Sequence, residues 1–115
     1  MKRFCLALDL HDDPEKIRQY RHYHTKEGIW PEIPQGMREV GILDMEIYLL
    51  GTRLFMILEV PDGWDFDQEM SRLGRLERQP EWEAFVWQYQ VPVPWAKPGE
   101  KWVLMEKIFD LDRDF

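Results

Sequence analysis

Tyr20 and His24 stand one helical turn apart, and Trp30-Pro31-Glu32 follows almost at once. An imidazole gives or takes a proton near neutral pH. A phenol donates and accepts hydrogen bonds, and an indole face is a broad apolar surface on which the C–H face of a pyranose can rest. Imidazole, phenol and indole together suit proton transfer on a held sugar, and no other stretch of the 115 residues gathers reactive groups as compactly. His24 is therefore the candidate acid/base. Tyr20, Trp82 and Trp30 are candidates for substrate contact, and Glu46 is a further one, with Glu59 beside it as a possible paired carboxylate. The plainer readings stay open at this stage. His24 also reads as a core imidazole, Tyr20 as helix–sheet packing, Trp82 as the start of an apolar stripe, and the two glutamates as solvated acids at the ends of a sheet. No metal site is expected: His22 and His24 point apart at a spacing of i, i+2, and His11 lies in a loop.

The elements that must carry these residues are legible from periodicity. Residues 3–10 alternate as a strand, with Phe4, Leu6, Leu8 and Leu10 on one face. Asp13 and Pro14 mark a helix start. The helix is expected to run to about Lys26, with Gly28 as its stop. Ile17, Tyr20 and His24 share its inward face. Trp30 to Pro34 turns the chain into a short helix over 35–40, stopped by Gly41. Residues 44–50 and 53–60 form a hairpin through Gly51-Thr52. That loop sets Tyr48 opposite Phe55 and Glu46 opposite Ile57. A helix begins near Asp65, another near Pro80 with Trp82, Phe85, Val86 and Tyr89 on one side, and a proline-broken arm spans 91–100. Lys101 to Phe109 is expected to return as the final strand. The order is βαββαβ, the ferredoxin-like α+β arrangement. Its helices cover one sheet face, and a second copy of the chain is the economical cover for the other, which is mixed and bears Tyr48 and Phe55.

Composition narrows the function. The length fits a single domain over residues 1–115, and 44% hydrophobic residues suffice for a core. A net charge of −7 argues against binding nucleic acid or an anionic membrane and is compatible with a neutral ligand. One cysteine, Cys5, allows no internal disulfide. The apolar run at the start is broken by Asp9, too early for a signal peptide, and no run is long enough to cross a membrane. The expected location is cytoplasmic. Phosphate loops and nucleophile elbows are missing from the sequence, which leaves phosphoryl and nucleotide chemistry without support.

Tyr20-x-x-x-His24, Ile29-Trp30-Pro31-Glu32, Ile47-Tyr48-Leu49, Leu54-Phe55-x-x-x-Glu59 and Trp82, in this order and spacing over residues 3–109, resemble the L-rhamnose mutarotase family. The resemblance implies a dimeric ferredoxin-like α/β barrel that interconverts the anomers of a 6-deoxy-hexose without a cofactor. It implies His24 as the acid/base and Tyr20 and Trp82 as sugar-site residues. Asp44-Met45-Glu46, Glu83 and two extra residues between His24 and Trp30 depart from the rhamnose pattern and resemble the branch associated with L-fucose. The fold also hosts cofactorless oxygenases and plain ligand-binding modules, so these are the competing expectations.

Overall fold

The computed structural model describes residues 1–115. Its strands are β1 (Lys2–Leu10), β2 (Asp44–Leu50), β3 (Arg53–Val60), β4 (Gln90–Val91) and β5 (Val103–Leu104). Its helices are α1 (Pro14–His22), α2 (Glu32–Glu39), α3 (Phe66–Leu73), α4 (Gln79–Trp87) and α5 (Leu111–Asp114). The sheet runs β2-β3-β1-β4, antiparallel throughout. With α1–α2 and α3–α4 as its two crossovers, this is the ferredoxin-like order. No helix is long and apolar enough to cross a membrane.

The hairpin follows directly from its sequence. Gly51 takes a positive φ of 59°, which glycine adopts without a Cβ penalty, and the register sets Tyr48 opposite Phe55 and Glu46 opposite Ile57. Period-two alternation then sorts the side chains. Leu54, Met56 and Leu58 are buried beneath the helices together with Leu6, Leu8 and Leu10 of β1. Two apolar clusters share that face. One joins Leu8, Leu10, Tyr20, Ile33, Leu54, Trp82, Val86 and Tyr89, and the other joins Leu6, Val40, Ile42, Met56, Leu58, Val60 and Leu73. The opposite face carries Cys5, Ala7, Glu46, Tyr48, Phe55, Ile57 and Glu59 and has no element over it; Tyr48 is 54% exposed.

Helix α2 starts at Glu32 and not at Gln35, because Pro34 falls in its first turn, where the missing N–H has no helical partner to lose. Three further expectations need correction. Helix α1 ends at His22, not near Lys26, because the chain tightens there: the Tyr23 N–H makes the last bond of helical spacing, to the Gln19 carbonyl at 3.0 Å. The next amides, His24 and Thr25, then bond to Arg21 and His22, three residues back. Gly28 is not the stop of that helix. Its backbone passes so close to the helix end that a Cβ would lie 2.2 Å from the His22 carbonyl oxygen. Gly28→Ala is accordingly expected to lower stability by about 1–3 kcal/mol, read from urea unfolding. An unchanged midpoint would show that the approach relaxes without cost.

The third correction concerns the last strand. Residues 101–109 do not form one strand. The edge beside β1 is shared between β4, opposite Asp9 and Leu10, and β5, opposite Leu6 and Ala7. The proline-bearing arm 92–102 leaves the sheet between them. Pro92, Pro94 and Pro98 lack the N–H a ladder needs, so the strand is split and its second half is short.

Candidate active site

The site lies where α1 ends against the start of α4. Asp13 caps α1, its carboxylate accepting from the Glu15 and Lys16 amides, and Ile17 and Tyr20 turn the helix inward. Tyr20 is buried at 4% exposure. His24, although past the end of the helix, is tied back to it: its Nδ1 sits 2.7 Å from the Tyr20 carbonyl oxygen. A carbonyl only accepts, so Nδ1 carries the proton and donates. The neutral ring therefore has its lone pair on Nε2, which bonds to nothing in the protein. The imidazole lies over the Tyr20 ring with 4.2 Å between centroids and faces the Trp82 indole at 5.7 Å. One side of His24 is open to solvent. The protein packed on its other sides still lowers its pKa below the ordinary 6.5, partly offset by the bond to the Tyr20 carbonyl.

The Tyr20 hydroxyl meets the buried Gln90 side chain, whose Nε2–H donates to it at 3.3 Å. Burial pushes the Tyr20 phenol up to about 12, with the Gln90 bond working slightly the other way. The phenol is protonated across the physiological range. It stands ready to donate a hydrogen bond.

Tyr20, His24, Gln90 and Trp82 line one cavity of about 500 Å³, within the range of small-ligand sites. Its floor is apolar, with Ile47, Met56, Val86 and Trp102, and Asp44, Gln79, Glu83 and Lys101 add polar groups around it. Lys101 donates to the Glu83 carbonyl at 2.9 Å, and burial lowers its pKa while the Glu83 charge raises it. A stacking ring, an apolar floor and several convergent polar groups fit a polyol better than a purely apolar ligand.

Two candidates from the sequence fall outside this cavity. Trp30 stands behind it: its ring meets Trp82 at 5.2 Å in an edge arrangement and lies under the Arg78 guanidinium at 4.2 Å. It braces Trp82 rather than facing a ligand. Glu46 is on the uncovered sheet face, exposed, accepting from the Tyr48 hydroxyl at 3.3 Å. Glu59 shares that face and is held by Arg3 at 3.0 Å. The pleat sends both glutamates away from His24, so neither exchanges protons with the cavity within one chain. The carboxylates that do line it are Asp44 and Glu83. No cluster of three or more His, Cys, Asp or Glu side chains is arranged to hold a metal ion.

The model of the family described as rhaM, L-rhamnose mutarotase, matches residues 3–111. The chain belongs to the L-rhamnose mutarotase family. Within it, the chain is 38% identical to an L-fucose mutarotase of Xanthomonas campestris pv. campestris, over 96% of this chain and 89% of that one. It is 29% identical to an L-rhamnose mutarotase of Burkholderia cenocepacia, over 93% and 97% of the two chains. The structure superposes on that of an L-rhamnose mutarotase from Formosa agariphila with a TM-score of 0.64 at 18% identity, covering 96% of this chain and 99% of that one. That likeness bears on the fold, which it matches along almost its whole length.

Sequence reasoning missed Gln79, Gln90, Lys101 and Trp102 as members of the cavity. Gln90 is preceded by an apolar helical stripe and followed by prolines, which mark an element boundary and no function. The one available signal is the type of residue: a glutamine buried to 5% exposure needs a reason to be there. That signal exists only after folding.

Proposed function

We propose that the protein is an isomerase that interconverts the α and β anomers of a 6-deoxy-hexose, with L-fucose handled at least as well as L-rhamnose. The observation that carries it is the His24 arrangement: a neutral imidazole with Nδ1 committed to a carbonyl and Nε2 free, beside a protonated phenol. Nε2 takes the proton of the anomeric hydroxyl as C1=O forms and the bond from C1 to the ring oxygen breaks. The ring oxygen receives a proton from the Tyr20 hydroxyl, a phenol being a stronger acid than the sugar alcohol it protonates. The aldehyde end turns about the C1–C2 bond. The sugar hydroxyl then adds to the other face of the carbonyl, and both protons return. Trp82 offers its ring to the C–H face of the sugar, and no step calls for a cofactor.

The L-fucose preference is supported by the higher identity to the Xanthomonas relative and by Asp44, Met45 and Glu83 on the cavity wall. Saturation-transfer NMR between the anomeric protons of L-fucose and of L-rhamnose tests both parts. Catalysed exchange of L-fucose, equal to or faster than that of L-rhamnose, is expected. Exchange with L-rhamnose alone would sink the preference, and exchange with neither would sink the activity.

The protein is also proposed to be a homodimer joined through its uncovered sheet face. Phe55 and Ile57 lie there half-buried beside an exposed Tyr48. A second copy would remove that apolar surface from water at roughly 25 cal/mol per Å². Light scattering at micromolar concentration is expected to give twice the 14.0 kDa chain mass, and Phe55→Glu to give monomer. A monomeric wild type would refute the assembly.

A further inference from the structure

We infer that Gln90 is a positioning residue: its carboxamide sets the direction of the Tyr20 hydroxyl proton and so makes that hydroxyl a donor toward the sugar. This rests on the mutarotase reading. Gln90 is held in place by strand pairing with Leu10 and by burial to 5% exposure. A phenol oxygen has one proton to give and lone pairs to receive. Gln90 Nε2–H fills a lone pair, and the Tyr20 hydroxyl bonds to no acceptor in the protein. Its proton is left for an acceptor in the cavity that Tyr20, His24 and Gln90 all line. The amide does not complete a structural network, because its own Oε1 meets no donor in the protein. Methionine would fill the same space without burying an amide. The polar head is explained by what it does to Tyr20.

Gln90→Glu tests this with almost no change of shape. The introduced carboxyl donates to the Tyr20 oxygen when protonated, as the amide does. Ionised, it only accepts, and the Tyr20 O–H turns to it and away from the sugar. The ratio of variant to wild-type kcat for L-fucose is expected to fall by about 10²-fold as pH rises through the titration of that carboxyl, with KM changed much less. Tyr20, His24, Arg38, Asp44, Glu83 and Lys101 also line the cavity. They are present in both proteins, so the ratio isolates the new group. Gln90→Met is expected to show a smaller deficit that does not vary with pH. In a Tyr20→Phe background neither substitution should lower the rate further. A ratio flat with pH, equal losses in the two variants, or full additivity with Tyr20→Phe overturns the inference. If Gln90→Glu does not fold, the Gln90→Met and Tyr20→Phe cycle decides: non-additive losses support the positioning role and additive ones refute it. A wild-type protein without exchange on any 6-deoxy-hexose is a separate outcome that refutes the mutarotase reading itself.

Discussion

Replacing His24 by alanine is expected to slow catalysed anomer exchange about 10²–10⁴-fold, roughly 3–5 kcal/mol of barrier, with the fold intact. The side chain lies at the rim of the apolar cluster and one side faces solvent. Its removal costs the hydrogen bond to the Tyr20 carbonyl and the ring contacts with Tyr20 and Trp82, together about 1–3 kcal/mol of stability. Exchange rates on saturating sugar and thermal unfolding of the same sample separate the two effects. A wild-type rate, or a rate lost together with the folded state, would remove His24 from the mechanism.

The pH dependence follows with a definite sign. Protonation of Nε2 abolishes the base, and the protein packed against the inner sides of the ring holds the His24 pKa below 6.5. Activity should stay level above that value and fall as pH drops through the lowered pKa. Stability moves the same way. The unfolded chain binds this proton at a higher pH than the folded one, so folding is favoured above the ordinary histidine pKa and loses that contribution as pH falls. In His24→Ala the acidic limb of the residual rate should vanish.

Trp82→Ala should have the largest effect on stability, about 3–5 kcal/mol. The indole is only 5% exposed and touches His24, Trp30 and Phe85, so truncation leaves a void that Trp30 cannot close without losing Arg78. Against a total stability of about 5–15 kcal/mol, that is a large share. Trp82→Phe should keep most of the stability while weakening sugar binding, because a smaller ring still fills the cluster but covers less of the cavity wall. Urea unfolding and sugar titration of the two variants check this. A stable Trp82→Ala protein with unaltered sugar affinity would mean that the ring serves neither purpose.

The hairpin, its register and the α3 and α4 starts were legible because each is a local matter. Gly51-Thr52 sets a turn, alternation over 44–50 and 53–60 sets the faces, and Asp65 offers a cap that the Gln68 amide takes. The Tyr20–His24 pair was legible for the same reason, although the device that holds the His24 ring against Tyr20 is a hydrogen bond beyond the helix end and not the helix itself. Glu46 was assigned to the site because it shares a sheet face with Glu59, and two carboxylates on one face suit an acid/base pair. The face of a strand is known from alternation, but the face that receives α1 and α4 is known only when the crossovers are packed.

By itself, the sequence determined the ferredoxin-like element order, the apolar face of the hairpin and the identity of His24, Tyr20 and Trp82 as the residues to examine. These depend on periodicity and side-chain type, which act over a few residues. Only the tertiary structure decided that Trp30 braces Trp82 from behind, that Glu46 and Glu59 face away, and that Gln90 reaches Tyr20 across 70 positions of chain. Those are long-range placements. They are set by the packing of α1 and α4 on the sheet and by the break in the last strand, and no spacing within the sequence encodes the distance between such side chains.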